Sequence, residues 1–162
     1  MQIKISIRKG VLSDLPDILR LIKELASYER SAGEVEITLP ELEKDCFGKN
    51  SIADFFVAVA GKTIIGMALF YTKYSTWKGR CIFLDDIIVS EKYRGRGAGK
   101  KLFDAVIRTV KERKARRLEW QVLDWNKPAI DFYRKYNAQF LPEWITCRLT
   151  GNQIKIIHEK SI

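Results

Sequence analysis

A run of small and basic residues lies between two apolar segments in the middle of the chain. It reads Arg94-Gly95-Arg96-Gly97-Ala98-Gly99-Lys100, after the apolar residues 81–90 and before the helical pattern that begins at Leu102. Small residues let a ligand approach the backbone, and a helix N-terminus offers unpaired N–H groups and a positive dipole end. The pattern therefore predicts an anion site suited to a pyrophosphate. The alternative is a flexible basic turn.

The glycine spacing excludes two common phosphate-binding patterns. Glycines at 95, 97 and 99 do not fit G-x-G-x-x-G. The pattern G-x-x-x-x-G-K followed by Ser or Thr also fails, because Arg94 stands where it needs Gly and Lys101 where it needs Ser or Thr. The turn instead fits R-x-x-G-x-G, through Arg94, Gly97 and Gly99.

Two adjacent carboxylates, Asp85 and Asp86, interrupt the apolar run 81–90. Adjacent residues of a strand point to opposite faces of a sheet, and a carboxylate is costly to bury without a partner. One interpretation is structural, with salt bridges to Arg or Lys at the end of a sheet. The other is functional, with one carboxylate facing an active site.

Hydrophobic periodicity predicts one mixed α/β domain over residues 1–162. Ser13, Asp14 and Pro16 are typical of a helix start, and the pattern after them predicts an amphipathic helix that ends near Tyr28. Further helices are predicted over 38–47, after the glycine-rich turn and, with a proline start, within 125–138. The predicted strands are 3–8, 54–61, 62–74, 81–90, 118–122, 145–150 and 153–158.

Composition narrows the classes of function. The chain has 162 residues, a net charge of +9 and 46% apolar residues, which is typical of one folded domain. Its 3 cysteines form no C-x-x-C pair, and its 1 histidine is His158, near the end. This usage indicates a reducing, cytoplasmic compartment and argues against a structural zinc site, a Ser-His-Asp site and a Cys-His site. We therefore expect no metal.

Neither a membrane nor a nucleic acid is an expected partner. No apolar run approaches the roughly 18 residues that a membrane helix needs. The alternating start MQIKISIRKG is typical of neither a signal peptide nor a transit peptide. The basic residues are dispersed and accompany no groove-reading motif, so nucleic-acid binding is the less favoured interpretation of the charge.

Five stretches resemble the Gcn5-related N-acetyltransferase superfamily, whose pyrophosphate loop has the R-x-x-G-x-G pattern. They are ILRLIKELASYE (18–29), YSTWKGR (74–80), FLDDIIV (83–89), YRGRGAGKKL (93–102) and VLDWNKPAIDFYRKYNA (122–138). They are most similar to the spermidine/spermine N1-acetyltransferase family, including its thialysine N-epsilon-acetyltransferase type. The resemblance implies an acetyl-CoA-dependent enzyme, a homodimer, and an α/β fold with a mixed, mostly antiparallel sheet, flanking helices and a splayed central parallel pair.

The resemblance also implies where acetyl-CoA binds. Strand backbone pairs with the pantetheine arm like an added strand, the glycine-rich turn binds the pyrophosphate, and the last predicted helix contacts the same cofactor. The residues are, in that order, Ile87, Ile88 and Val89; Arg94, Gly95, Arg96, Gly97, Ala98, Gly99 and Lys100; and Asn126, Pro128 and Tyr133. The candidates for the 3′-phosphate partner are Arg134, Lys135 and the basic run 111–117.

Acetyl transfer needs a base for the amine and an acid for the departing thiolate. By resemblance Tyr133 is the acid: a phenol of pKa about 10 can hydrogen-bond the thiolate of a thiol of pKa about 8.5. On periodicity alone, Tyr133 is a core residue beside Phe132 and Tyr136. Asp85 is the implied base, and Asp86 is the group that holds the substrate cation.

Further substrate contacts are implied at Tyr28, Glu29, Trp77 and Trp144. Tyr28 and Glu29 align with the family's substrate contacts, with an exposed helix end as the alternative. The two tryptophans offer apolar or cation–π faces to an aliphatic amine. Ser75-Thr76 precedes Trp77 where polyamine acetyltransferases tend to carry Asp-Pro. The loss of that carboxylate favours a small primary amine such as thialysine or a lysine-like amino acid over spermidine and spermine.

The expected mechanism is direct attack of the amine in a ternary complex, because no well-placed nucleophile for a covalent intermediate is visible. Two alternatives stay open at this point: a non-catalytic acyl-CoA-binding module and an acetyltransferase acting on protein lysines. Two positions depart from the family pattern, Asp85 in place of the common Glu and Asn137 in place of a Gly.

Overall fold

Five strands form one sheet in the computed structural model, which describes residues 4–160. They lie in chain order across the sheet: β1 (Ile5–Lys9), β2 (Asp54–Ala60), β3 (Thr63–Ser75), β4 (Gly79–Val89) and β5 (Leu118–Glu119). Pairs β1–β2, β2–β3 and β3–β4 are antiparallel, and β4–β5 is parallel. The predicted mixed, mostly antiparallel sheet is confirmed. Ile3, where the predicted first strand begins, lies outside the described residues.

The helices are α1 (Leu15–Tyr28), α2 (Leu39–Phe47), α3 (Ala98–Glu112), α4 (Lys127–Arg134) and α5 (Gly151–Glu159). The described residues divide into two compact units, one within Met1–Leu123 and one within Asp124–Ile162. The first unit holds the sheet with α1, α2 and α3, and the second holds α4 and α5. A single domain over 1–162 stays a prediction. Within residues 4–160, no helix is long and apolar enough to cross a membrane.

A partly buried ion pair, with Asp14 buried and Arg8 exposed, joins β1 to the start of α1. Asp14 occupies the N-cap position of α1, with Pro16 in the first turn. Its carboxylate accepts hydrogen bonds from Arg8 Nη1 at 2.6 Å, from Arg8 Nη2 at 2.9 Å and from the N–H of Val11 at 2.8 Å. The Arg8 guanidinium holds the pKa of this carboxyl below its ordinary value. Bidentate pairs are geometrically specific, so this contact fixes where α1 begins.

The sheet lies between two layers of helix. Cross-strand partners Met67 and Ile88 belong to a core cluster on one face, which also holds Leu15, Ile18 and Leu21 of α1 and Leu42 of α2. Phe70 faces the other side, because residues of a strand alternate between faces. There, the guanidinium carbon of Arg113, at the end of α3, lies 5.4 Å from the centre of the Phe70 ring. β4 is therefore held between α1 and α3.

A β-bulge interrupts the β3–β4 ladder at the two adjacent carboxylates. Leu69 pairs with Asp86 and Phe70 with Leu84, so Asp85 has no partner in this ladder. Cross-strand partners share a face, which places Asp86 with Leu69 on the α1 side of the sheet. A bulge bends the strand and redirects the side chain of the extra residue.

Close contact between β3 and β4 requires Gly66. A Cβ at this position would lie 2.6 Å from the carbonyl oxygen of Ile88 and 3.2 Å from Cα of Val89. Both atoms are backbone, so a methyl group would displace β4 itself. Gly66 therefore sets the position of β4 just before the glycine-rich turn.

The parallel pair separates soon after it forms. β5 pairs with β4 only through Ile82 with Leu118 and Phe83 with Glu119, although β4 continues to Val89. The predicted splay is present, but β5 is shorter than the predicted 118–122. Within the described residues the pair also lies at the edge of the sheet rather than at its centre, because the two last predicted strands do not form.

The prediction of strands over 145–150 and 153–158 is wrong. Residues 145–150 have no regular structure, and the second segment lies in α5. Thr150 and Gln153 form a capping box: Thr150 Oγ1 accepts from the N–H of Gln153 at 3.4 Å, and Gln153 Oε1 accepts from the N–H of Thr150 at 2.8 Å. This local signal starts a helix, whereas an alternating pattern alone does not secure a strand partner. In the same unit, Asn137 adopts the left-handed conformation expected after α4, with φ of 54°.

Candidate active site

The glycine-rich turn presents unpaired backbone N–H groups at the start of α3. Gly95 and Gly97 have positive φ values of 75° and 82°, which favour glycine. Gly97 is the N-cap residue and has no side chain with which to cap the helix. Lys101 donates the first bond of the helix, to Gly97 O at 3.1 Å. The N–H groups that precede it point out of the helix end, where the dipole favours an anion.

Gly99 lies in nearly open space at the start of α3, which leaves room for a ligand beside the backbone. Its φ lies outside the range that favours glycine, and a Cβ there would meet only Val89 Cγ2, at an ordinary 3.9 Å. The fold itself therefore does not require a glycine at this position. A missing side chain at a helix N-terminus leaves room for a bound group, and the free N–H groups and positive dipole end there favour an anion such as a pyrophosphate.

The free edge of β4 leads to this turn. Beyond Phe83, no strand among residues 4–160 pairs with β4 on the β5 side. Ser90 donates its N–H to Ile65 O on β3 at 2.8 Å. Backbone groups of neighbouring strand residues point in opposite directions, so the N–H and C=O of Val89 face the free edge, where the C=O accepts from Arg94 Nε at 2.9 Å. An extended ligand with amide groups can therefore pair with β4 here.

Two carboxylates, those of Asp85 and Glu29, lie close enough to Asp86 near the bulge to raise its pKa. Burial, followed by the carboxylates of Asp85 and Glu29, raises the pKa of Asp86 to about 7. Loss of hydration also raises the pKa of Asp85, the more exposed of the pair, and of Glu29 at the end of α1. Like charges disfavour ionisation of their neighbours, and a bound cation reverses that effect. The cluster is thus suited to a protonated amine.

Tyr71 is a residue of this cluster that the sequence analysis missed. Burial, and then the Asp85 carboxylate, raises the pKa of the Tyr71 phenol. Tyr71 lies on the same face as Leu69 and Asp86, two residues along β3. The bulge interrupts the regular alternation on which the prediction of opposite faces for the two carboxylates rests, and that prediction stays untested. The signal that could have located Tyr71 is its spacing of two residues from Leu69 on β3, which places both side chains on one face of the sheet.

The end of α1 contacts the connection between β4 and the turn. The carboxylate of Glu24 accepts from Ser90 Oγ at 2.8 Å and from the N–H of Glu91 at 3.1 Å. Arg94 lies with its guanidinium carbon 4.8 Å from the centre of the Tyr28 ring. The structure thus brings the predicted substrate residue Tyr28 against the first residue of the predicted pyrophosphate loop.

Trp77 lies far from Asp85 and Asp86 within the same chain. Its side chain is exposed in the turn between β3 and β4, with the residue 78% exposed, and its backbone N–H donates to Ser75 Oγ at 3.3 Å. The distance from the start of β4 to Asp85 is about 20 Å along the strand. A substrate role for Trp77 stays a prediction, without support from proximity within one chain.

The basic run 111–117, one of the candidates for the 3′-phosphate partner, lies far from the glycine-rich turn. It begins in the last turn of α3, about 20 Å along the helix from the glycine-rich turn. The 3′-phosphate and the pyrophosphate of CoA are attached to the same ribose. If the pyrophosphate binds at the turn, the 3′-phosphate lies much nearer to the turn than the basic run does. The choice among this run, Arg134 and Lys135 stays a prediction.

The second unit holds the other predicted site residues. Asn126 is the N-cap of α4 and accepts the N–H of Ala129 at 3.3 Å, and Pro128 lies in the first turn. Tyr133 is buried, with its ring centre 5.3 Å from that of Phe132. Trp144 is 69% exposed. The roles of these residues stay predictions. Residues 4–160 hold no group of three or more His, Cys, Asp or Glu side chains that would bind a metal ion.

The fold and the turn define a class of protein: an α/β transferase with an anion site at the end of a splayed strand. The sequence profile of the acetyltransferase (GNAT) family matches residues 15–138. The chain belongs to this family and is an N-acetyltransferase. The family uses acetyl-CoA as cosubstrate, and the predicted resemblance is confirmed.

Several relatives cover most of the chain. Thialysine N-epsilon-acetyltransferase of Bos taurus is 38% identical over 93% of this chain and 95% of its own. The protein of the same name from Caenorhabditis elegans is 34% identical, over 85% and 86%. L-ornithine N5-acetyltransferase of Arabidopsis thaliana is 32% identical over 80% of this chain and 54% of its own.

Solved structures share the fold. An integron cassette protein from the mobile metagenome of V. cholerae matches with a TM-score of 0.78 and 21% identity, over 98% of this chain and 99% of its own. An aminoglycoside acetyltransferase from an uncultured soil metagenomic sample matches with a TM-score of 0.75 and 21% identity, over 90% and 95%. At this level of identity the likeness concerns the fold alone.

Gly99→Ala is expected to weaken CoA binding by about tenfold while the free energy of unfolding changes by less than about 1 kcal/mol. The methyl group meets no strained contact in the chain but occupies the space of the pyrophosphate. Titration calorimetry with CoA and urea unfolding measure the two effects. Gly33→Ala is the matched control, since a Cβ there meets nothing within 4 Å. Unchanged affinity in Gly99→Ala would mean that the turn does not bind the pyrophosphate closely.

Asp86→Asn is expected to remove much of a pH-dependent loss of stability. Between the ordinary pKa of 3.8 and the folded value of about 7, the folded chain retains a proton that the unfolded chain has lost. Raising the pH through this window therefore lowers the free energy of unfolding, which levels off above about pH 7. Asp85 and Glu29 act in the same direction. Urea unfolding between pH 4.5 and 7.5, in steps of about one unit, measures the slope, with exposed Asp124→Asn as control. Parallel profiles for wild type and Asp86→Asn contradict the prediction.

Proposed function

We propose that the protein transfers acetyl from acetyl-CoA to a primary amine of a small molecule, first of all thialysine or a lysine-like amino acid. The observation that carries the proposal is that one strand, β4, holds both Asp85 and Asp86 and the edge that leads to the glycine-rich turn. A pantetheine arm that runs along this edge from the turn brings its thioester toward Asp85. The amine and the acetyl group then meet at the bulge.

In the proposed reaction the carboxylates bind and deprotonate the amine. A lysine-type ammonium has a pKa of about 10.4, so only about 1 in 2,500 molecules is free amine at pH 7. Asp86 and Glu29 hold the cation, and Asp85 accepts the proton, directly or through one water. The raised pKa of Asp85 makes it a better proton acceptor than an ordinary aspartate.

When bound, acetyl-CoA supplies a thioester whose carbonyl carbon takes the amine nitrogen and whose carbon–sulfur bond breaks. Tyr133 donates a hydrogen bond, and then the phenolic proton, to the departing sulfur. The ammonium nitrogen loses two protons in all: Asp85 passes the first to solvent, and the second, released after the nitrogen has attacked the thioester, restores the phenol of Tyr133. The proposal includes no covalent intermediate on the enzyme and no metal.

Two features favour an amino acid over a polyamine. Ser75-Thr76 offers no carboxylate beside Trp77, where polyamine acetyltransferases of the family tend to carry Asp-Pro. The relatives named above are a thialysine and an L-ornithine acetyltransferase, both for amino acids with a terminal amine. Diamines and polyamines are the second candidate, since a relative from Homo sapiens is named spermidine/spermine N(1)-acetyltransferase-like protein 1. A homodimer and a cytoplasmic location are further expectations.

CoA release against a panel of amines tests the substrate. The panel contains thialysine, lysine, ornithine, spermidine, spermine, a simple diamine and a peptide with a free N-terminus. We expect kcat/KM for thialysine to exceed that for spermidine by at least about tenfold, which is a transition-state difference of about 1.4 kcal/mol. Higher kcat/KM for spermidine would make the polyamine assignment correct. Turnover of the peptide alone would indicate a protein substrate, and no turnover with CoA still bound would indicate a non-catalytic module.

The double variant Ser75→Asp with Thr76→Pro sharpens this test. It restores the Asp-Pro pair and is expected to raise kcat/KM for spermidine while that for thialysine stays the same or falls. An unchanged ratio between the two substrates would show that this turn does not select the amine.

Tyr133→Phe is expected to lower kcat by about a hundredfold and to leave the CoA dissociation constant within about twofold. The variant keeps the ring and its contact with Phe132 but removes the proton donor. Tyr136→Phe is the matched control on the same aromatic cluster, with kcat near that of wild type. Equal kcat values for Tyr133→Phe and wild type would refute the acid assignment.

A further inference from the structure

The Arg94 guanidinium is held from two sides. Its carbon lies 4.8 Å from the centre of the Tyr28 ring, within the range of a cation–π contact. Its Nε donates to the carbonyl oxygen of Val89 at 2.9 Å. Arginine stacks well on aromatic rings because its guanidinium is planar. The two contacts therefore define both the position and the plane of the group.

This guanidinium lies where the two parts of the cofactor site meet. Arg94 is the first residue of the R-x-x-G-x-G turn, and the Val89 carbonyl that it binds faces the free edge of β4. An arginine on an exposed turn would otherwise sample many rotamers, and each would need to be ordered when an anion binds. A guanidinium that is already held avoids that loss.

The helix that carries Tyr28 is itself anchored to the same connection. One helical turn before Tyr28, the Glu24 carboxylate binds Ser90 Oγ and the N–H of Glu91, at 2.8 and 3.1 Å. The Tyr28 ring is therefore a fixed surface relative to the turn. Tyr28 is half-buried, so its ring packs against the chain while Arg94 covers one face.

We propose that Tyr28 is a positioning residue for Arg94 and that its aromatic ring, rather than its hydroxyl group, supports acetyl-CoA binding. This differs from the substrate contact that the sequence implies for Tyr28, and it rests on the proposed cofactor site. The last turn of α1 then serves both substrates: Tyr28 acts toward the cofactor through Arg94, and Glu29 acts toward the amine.

Titration calorimetry with CoA, in the absence of any amine, separates the two roles. Tyr28→Phe keeps the ring and is expected to bind CoA within about twofold of wild type, whereas Tyr28→Leu is expected to bind about fivefold more weakly. Tyr74→Leu is the matched control, since Tyr74 is 77% exposed at the far end of β3. In steady-state assays, Tyr28→Leu is expected to raise KM for acetyl-CoA and to leave kcat within about twofold.

A double-mutant cycle with Arg94→Ala shows whether Tyr28 acts through Arg94. Once Arg94 is removed, Tyr28→Leu is expected to weaken CoA binding by less than a further twofold or so. If the losses of CoA affinity in Tyr28→Leu and Arg94→Ala multiply in the double variant, the two residues act independently and the inference is overturned. So would a Tyr28→Phe variant that raises KM for the amine, because that result assigns the hydroxyl to the substrate.

Arg94→Lys tests the same contact without changing Tyr28, in case Tyr28→Leu does not fold by circular dichroism. Lysine keeps the charge but offers no planar group, so CoA binding about fivefold weaker is expected and wild-type affinity contradicts the inference. If wild type itself does not bind CoA, the proposed function fails. If wild type binds CoA and Tyr28→Leu binds it equally well, only the role of Tyr28 fails.

Discussion

The backbone hydrogen bonds of β4 govern the site. β5 pairs with β4 at only two residue positions, which leaves the β4 edge between Leu84 and Val89 without a strand partner in the described chain. At Val89 the C=O accepts from Arg94 Nε instead. Unpaired backbone groups are costly unless water or a ligand satisfies them. The proposed cofactor is a chain with amide groups and an anionic end, which matches an open edge that ends at an anion-binding turn. Gly66 and the packing of α1 and α3 serve to hold that edge in place.

Opposite charges divide this edge between two substrates. The turn at the end of β4 attracts an anion through free N–H groups and a helix dipole, whereas the bulge concentrates Asp85, Asp86 and Glu29. The two regions are about 10 Å apart, the length of three strand residues from Asp86 to Val89. Keeping the carboxylates together lowers the stability of the empty protein, as the raised pKa of Asp86 indicates. In the proposed function a bound ammonium offsets that repulsion, so the feature that strains the fold would also favour a cationic substrate.

Local signals predicted the elements well, and features that depend on strand pairing escaped prediction. Pro16 and the apolar periodicity define α1, and Gly61-Lys62 defines the turn between β2 and β3, because these signals act within a few residues. Strict alternation predicts that Asp85 and Asp86 diverge, but the bulge depends on how β4 meets β3, which the β4 sequence does not contain. Residues 153–158 alternate and also contain Ile154 and Ile157 at helical spacing, so the nearby cap at Thr150 decided the outcome. For the site, the glycine pattern located the turn, and only the structure revealed Tyr71 and the contact between Tyr28 and Arg94.

Helix α1 is the element that relates the cofactor to the amine. Its first residue follows Asp14, which the Arg8 guanidinium ties to β1, and its apolar face packs on Met67 and Ile88 of the sheet. With one end and one face fixed, the position of its last turn is set by the helix length of 14 residues. The last two turns place Glu24 and Tyr28 against the connection to the proposed pyrophosphate loop, and Glu29 follows them near the carboxylates of the bulge. A shift of α1 along its axis would therefore disturb both binding regions together, which makes the packing of this helix part of the chemistry of the site.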